Sequence, residues 1–436
     1  MRLAKKYWGL VLLVCLVPAT GRLDVPPAVG ADAPASRTAP QPVPTDWPWW
    51  RGPERNGIGA SGQKLPLHWS ETENILWKAE IPGRGHASPT VVGNRVLIPT
   101  ADETREIQSV LCYDRRTGNR LWKTDVHVGG LERKGHQKSS QASATVASDG
   151  ERLFVNFLHD GAIYTTALDL KGRQLWQTKV SDFVTHQGFG SSPAVYESLV
   201  LVSTDNKAGG LVAALDRRDG KIVWQQSRPQ QPNYTSPAVL KVAGRDQLLV
   251  AGCDHVSSFD PFTGKRLWEI EGSTTECVGS IVTDGTLVFA SGGYPEKLTV
   301  AVRGDGSGQV AWQNKVQTYV PSMLVYDGRL YTVTDAGVAI CWRASTGEEL
   351  WKSRLGGTFN ASLVLVGDRI MATNQEGDTF IFRASAEKFE SIAQNHLGED
   401  VYATPAVCGG HIYMRVAQRN GEARQEWLYA IGEDAR

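Results

Sequence analysis

One unit recurs along this chain: a Ser-Pro-Ala-Val-like strand, two further strand-like segments, an Asp, a Thr-Gly turn and a tryptophan. The first copy reads Ser88-Pro89-Thr90-Val91, Asp114, Thr117-Gly118 and Trp122. The third reads Ser192-Pro193-Ala194-Val195, Asp216, Asp219-Gly220 and Trp224, and the fourth Ser236-Pro237-Ala238-Val239, Asp260, Thr263-Gly264 and Trp268. Weaker copies keep Asp169 and Trp176, Ser307-Gly308 and Trp312, and Thr346-Gly347 and Trp351. The strand starts fall at Ser88, Ser143, Ser192, Ser236, Ser280, Ser322, Ser362 and Thr404, with spacings of 55, 49, 44, 44, 42, 40 and 42. A period of roughly 40–50 residues with four strand-like segments per unit specifies a β-propeller, not a helical solenoid. Eight starts predict an all-β, eight-bladed ring.

The two chain ends predict how the ring shuts. The last unit stops after Leu428-Tyr429-Ala430-Ile431, a third strand with no outer strand behind it. An orphan outer strand, Asn74-Ile75-Leu76-Trp77-Lys78, stands ahead of the first unit and looks like Arg120-Leu121-Trp122-Lys123. The N-terminal strand is therefore expected to complete the last blade, leaving no terminal blade unpaired. Within each unit the turn glycine supplies positive φ. The Asp accepts turn N–H groups, and the tryptophan ring packs on the neighbouring blade while its N–H finds an acceptor. The seventh unit has Phe389 and no tryptophan, so its packing on a neighbour is expected to be weaker.

Four segments follow: residues 1–31 as a signal peptide, 32–46 as a flexible linker, 47–73 as a tryptophan-rich arm, and 74–436 as the propeller. Arg2, Lys5 and Lys6 precede an apolar stretch, Tyr7 to Val17, of signal-peptide length. Cys15 lies inside that stretch behind Val14, so plain secretion to the periplasm or beyond is expected over lipidation. No later run is apolar enough to cross a membrane. The arm carries Trp47, Trp49, Trp50, Arg51 and Arg55 among Pro48, Gly52, Pro53 and Gly57, which makes it irregular; it is expected to fold back on the propeller. Charge is balanced, with 46 basic and 46 acidic side chains, which gives no electrostatic case for nucleic acid. Beyond the signal, Cys112, Cys253, Cys277, Cys341 and Cys408 are scattered and read as buried small residues.

The pattern Ala-x-Asp-x-x-Thr-Gly-x-x-x-Trp, followed by Ala214 to Trp224 with Asp219 in place of Thr, resembles the tryptophan-docking motif of quinoprotein-like (PQQ-binding-like) β-propeller repeat proteins. The resemblance covers roughly residues 74–432. Trp47 to Gly57, His136-Gln137 to Ser143, and Gly188 to Pro193 look like an extracytoplasmic branch of that family. In fold the chain also resembles the propeller lipoprotein of the outer-membrane assembly machinery, without a residue-level interface match. Quinoprotein dehydrogenases of this fold resemble one another in a vicinal cysteine pair over the cofactor, a Trp beneath it, and acidic and amide ligands to calcium. This chain has no Cys-Cys pair and no Cys-x-x-Cys-His. No PQQ, no metal and no catalytic residue is therefore expected, because fold does not carry function with it.

Residues just ahead of each innermost strand should ring the central funnel. They are Arg84 and His86, His136 and Gln141, His186 and Phe189, Asn233 and Tyr234, Glu276, Tyr319, Asn360 and Tyr402. Histidines recur there on three successive blades, with aromatic and amide groups across the axis. That mixture suits a small polar ligand, a sugar or a metal ion. The expectation is a monomeric, non-catalytic extracytoplasmic propeller that binds a small polar ligand or other envelope proteins. A PQQ- or metal-dependent oxidoreductase and a carbohydrate-binding propeller are the alternatives.

Overall fold

The structure is a computed structural model, and it describes residues 43, 45–132, 135–421 and 423–433. The expected signal peptide and nearly all of the expected linker lie outside those residues. Among the described residues the chain forms eight four-stranded antiparallel sheets and no helix. In seven sheets the strands follow chain order. The first blade is Thr90–Val92, Arg95–Asp102, Ile107–Asp114 and Arg120–Val128. The eighth joins Ala406–Cys408, His411–Asn420 and Ala423–Ile431 to Ile75–Ile81. Trp77 pairs with Ala430 and Ala79 with Leu428, so the N-terminal strand closes the ring as expected.

Second and third strands are buried on both faces, which is why they read as continuous apolar runs such as Ile107–Asp114. Outer strands alternate, as in Gln174–Asp182, where only Trp176 and Val180 are fully covered. Docking tryptophans carry the contacts between blades. The indole N–H of Trp77 donates to Arg115 O (2.9 Å), Trp122 to Leu170 O (3.2 Å) and Trp176 to Arg217 O (3.1 Å). Trp224 donates to Pro261 O (3.1 Å), Trp312 to Ala344 O (2.8 Å) and Trp351 to Ser385 O (2.8 Å). Each acceptor belongs to the next blade's turn. The ring lies on the turn glycine: a Cβ on Gly118, which sits at φ 71°, would come within 2.7 Å of the Trp77 ring. Asp114 Oδ1 accepts the N–H groups of Arg116 (3.0 Å) and Thr117 (2.9 Å), which fixes the turn beneath the indole.

Two seams depart from the rule. In blade five Arg303 takes the position of the turn Asp, and Trp268 does not reach the carbonyl after it, Gly304 O. It donates instead to Gln247 Oε1 (2.7 Å), and Gln247 Nε2 donates to Gly304 O (2.9 Å), so an amide relays the contact. In blade seven the register puts Ala393 opposite Ile381, as Trp351 stands opposite Cys341 in blade six. Alanine is too small to dock. Trp69 of the arm, 3% exposed, fills the same apolar cluster as Ala393 and Leu397. Its main-chain N–H donates to Asn395 Oδ1 (3.0 Å), and Asn395 Nδ2 donates to Leu67 O (2.9 Å). Phe389 packs back on Trp351, ring centres 5.7 Å apart. The expected weak seam is thus filled from the arm, a correction that spacing within the repeat could not show.

Candidate functional site

The arm turns the central channel into a cup. Trp47 pairs with Val91, and Ser148 N–H donates to Pro48 O (2.8 Å). Arg55 stacks on Trp49 (4.2 Å) and donates to Val195 O (2.5 Å). Arg51 is 2% exposed and donates to Leu363 O (2.7 Å), Met323 O (2.7 Å) and Asn56 O (2.9 Å). Burial pushes that guanidinium down to about 9. Gly57 and Gly59 exchange main-chain bonds with Leu365. These anchors sit on the innermost strands of opposite blades, so residues 47–59 cross the axis. Trp50 lies at the crossing, its indole N–H on Ser280 Oγ (2.8 Å). It floors a cavity of about 450 Å³. Asp46, expected in a flexible linker, is buried, accepts Gly93 N–H (3.1 Å) and pairs with Arg115 (3.7 Å).

Above Trp50 the wall is a girdle of hydroxyls at the start of each blade. Ser88 N–H donates to Thr145 Oγ1 (3.1 Å), Thr145 N–H to Ser192 Oγ (2.9 Å) and Ser192 N–H to Ser236 Oγ (2.9 Å). Ser280 N–H donates to Ser322 Oγ (3.0 Å), Ser322 N–H to Ser362 Oγ (2.9 Å) and Ser362 N–H to Thr404 Oγ1 (2.9 Å). In blade two the girdle position is Thr145 rather than Ser143, a two-residue correction. Ser143 instead bonds Ser140 locally.

Of the funnel residues read from sequence, His86, His136, Phe189, Tyr234, Tyr319, Asn360 and Tyr402 line the cavity. His86 stacks on Tyr402, centres 4.1 Å apart and planes 15° apart. Burial, then the cations Arg84, Arg415 and Arg424, holds His86 well below the usual imidazole range, so it is neutral. Beneath it the buried Arg415 donates to Glu426 Oε2 (2.5 Å) and Pro99 O (2.6 Å). His136 is exposed at the mouth, where its Nδ1 accepts Lys138 N–H (3.1 Å). Asn360 Oδ1 accepts from Gln375.

Five of the predicted funnel residues, Arg84, Gln141, His186, Asn233 and Glu276, are not on the wall. Arg84 N–H and C=O pair with Ala101 at a strand edge, which turns its side chain to Glu103 (3.9 Å) and Gln137 O (3.4 Å). Gln141 is held by Glu132 O (2.6 Å) and takes Gln108 on its carbonyl (2.9 Å). His186 and Glu276 stand behind the tyrosines: His186 Nδ1 is 3.2 Å from Tyr234 OH and 3.2 Å from Glu276 Oε1, and Tyr319 OH donates to Glu276 Oε2 (2.9 Å). Burial and the Glu276 carboxylate push the Tyr319 hydroxyl up. Asn233 is 5% exposed and bonds Asp205, Thr235 and Ala251 O. The three histidines of successive blades therefore do not converge. Trp50, Lys138, Gln187, Asp335, Phe359 and Gln375 line the cavity and escaped the sequence reading. Of these, Trp50 and Lys138 fall within segments that stand out from the repeat, the arm and His136 to Ser143.

Asp335 is the cavity's one carboxylate among the described residues. Its oxygens accept Tyr319 N–H (2.7 Å) and Val320 N–H (3.0 Å), and burial raises its pKa. Among the described residues no three His, Cys, Asp or Glu side chains gather as metal ligands, and the five cysteines are buried and unpaired. This donor set does not fit a quinone held with a divalent cation.

Residues 106–353 and 296–388 match the family described as Outer membrane protein assembly factor BamB. The chain belongs to this family. Outer membrane protein assembly factor BamB of Burkholderia pseudomallei is 24% identical over 382 residues, covering 82% of this chain and 91% of that one. The Yersinia pestis BamB is 27% identical over 265 residues, covering 56% of this chain and 61% of that one. A polyvinylalcohol dehydrogenase of Sphingopyxis is 27% identical over 233 residues, covering 49% of this chain and 33% of the dehydrogenase. The chain thus spans about three-fifths and one-third of these last two relatives. Among solved structures, BamB from Moraxella catarrhalis superposes with a TM-score of 0.59 at 15% identity over 83% of this chain and 98% of that one. A europium-containing methanol dehydrogenase gives 0.66 at 12% identity over 90% and 99%. At those identities the likeness is one of fold.

Proposed function

We propose that this protein is a non-catalytic, extracytoplasmic binding propeller whose ligand sits in the central cup. The observation that carries the reading is the floor: Trp50, pinned to Ser280, lines a cavity of about 450 Å³ walled by hydroxyl, aromatic and amide groups. That volume lies in the range of small-ligand pockets, roughly 300–1,000 Å³. An extracytoplasmic setting is supported by the charged and apolar N-terminal segment. A protein partner of the envelope is the second reading, favoured by family membership, and would use the outer rim rather than the cup. The test is native mass spectrometry, absorbance and metal analysis of protein purified from its own host. A retained small molecule that is lost in Trp50→Ala supports the cup. A quinone-like chromophore or stoichiometric metal overturns the non-catalytic reading. A wild-type protein that retains nothing from a native extract refutes the cup and leaves the rim.

A further inference from the structure

The cup's wall has a chemical polarity. Thr145, Ser192, Ser236, Ser362 and Thr404 each accept a main-chain N–H from the neighbouring blade, and among the described residues no protein acceptor takes their protons. All five line the cavity and all five are at most 8% exposed, so their O–H groups have the cavity as their outlet. At the seam of the ring the link from Thr404 to Ser88 is not made. Ser88 is 3% exposed, lines the cavity, and its Oγ has no partner at all. His86 Nε2, on the same wall, is also buried and unpartnered. Buried polar groups are nearly always satisfied, so unspent ones around a cavity mark what the cavity takes.

Each girdle hydroxyl has already spent one lone pair on an N–H while its proton is free, which biases the wall toward donating to acceptor atoms. A sugar presents hydroxyls that must both give and take, whereas an oxyanion only takes. Lys138 and His136 stand at the mouth, where a cation favours an anion's entry. Asp335 is the opposing charge, but both of its oxygens are engaged by main-chain N–H groups. Phe189, Phe359 and the stacked pair of His86 and Tyr402 supply apolar faces above the girdle.

We infer that the cup binds a small organic oxyanion, a phosphate, sulfate or carboxylate head seated in the hydroxyl girdle with a flat apolar body against these rings. This rests on the cup being a ligand site.

The experiment is titration calorimetry on the full mature chain with phenyl phosphate, inorganic phosphate and the neutral phenyl glucoside. Ser88→Ala is the informative variant, because the Ser88 hydroxyl makes no bond within the fold. Saturable binding of phenyl phosphate, weakened by on the order of tenfold in Ser88→Ala as expected for one hydrogen bond to a charged group, supports the inference. Thermal stabilisation by phosphate that is equal in both proteins is a bulk salt effect and overturns it. Binding of the phenyl glucoside without phenyl phosphate overturns the oxyanion and keeps the cup. Binding of none of the three overturns the oxyanion, and the cup then stands or falls on what native protein retains.

Discussion

Replacing Trp69 with alanine tests whether the arm truly stands in for a missing docking residue. A buried tryptophan removes about 150–250 Å² from water, and at about 25 cal/mol per Å² that is worth about 4–6 kcal/mol. Trp69 is 3% exposed, so nearly all of that applies. Its indole Nε1 is buried with no partner, however, which costs about 1–3 kcal/mol and offsets part of the gain. The balance is a loss of about 3 kcal/mol for Trp69→Ala, in line with large-to-small substitutions of aromatic residues. Trp69→Phe behaves differently. It keeps a ring and removes the orphan N–H, so the net change is within about 1 kcal/mol. Trp77→Phe is the control, because it also deletes a 2.9 Å bond to Arg115 O. Urea unfolding followed by tryptophan fluorescence and circular dichroism reads all three midpoints. A loss under about 1 kcal/mol for Trp69→Ala, or equal losses for Trp69→Phe and Trp77→Phe, refutes the assignment.

Two further outcomes follow from the same geometry. Burial, then the stacked His159 at 4.1 Å, holds His127 down at about 4, below its unfolded value near 6.5. The unfolded chain therefore binds more protons between those values, so this contribution is complete above about pH 6.5 and is lost as pH falls toward 4; thermal midpoints measured across that window should fall less steeply in His127→Phe than in wild type. Arg51→Ala removes the donors to Met323 O and Leu363 O, so limited proteolysis should cut between Trp50 and Gly59 in the variant and spare that stretch in wild type.

Much of the ring was legible because the repeat is periodic and its glycines are tied to sterics. Gly118 and Gly220 each lie beneath the preceding blade's tryptophan, so Thr-Gly or Asp-Gly spacing reports a contact between blades. Closure was legible because Asn74 to Lys78 has the pattern of an outer strand with no unit of its own. What was lost is what breaks the period. Blade two carries a longer lead-in, and counting by serine chose Ser143 over Thr145. Arg84 and Gln141 precede their strands like the true wall residues, but local strand-edge and loop bonds turn them aside. His186 and Glu276 lie one layer back because Tyr234 and Tyr319 are longer and reach the axis first. Trp69 was invisible as a docking residue because it precedes Ala393 by more than three hundred positions.

The floor of the cup and the strand that shuts the ring belong to one continuous stretch, residues 47–81. Its partners in the last blade, such as Ala430 opposite Trp77, are the final residues of the propeller to be made. A chain emerging from its N-terminus must hold Ile75–Ile81 in reserve until the last blade exists. In a propeller cut short of its last blade the strand Ile75–Ile81 has no partner, whereas the arm that carries Trp50 keeps its anchors on Val91, Val195, Leu363 and Ser280, so closing the circle and laying the floor are separable events.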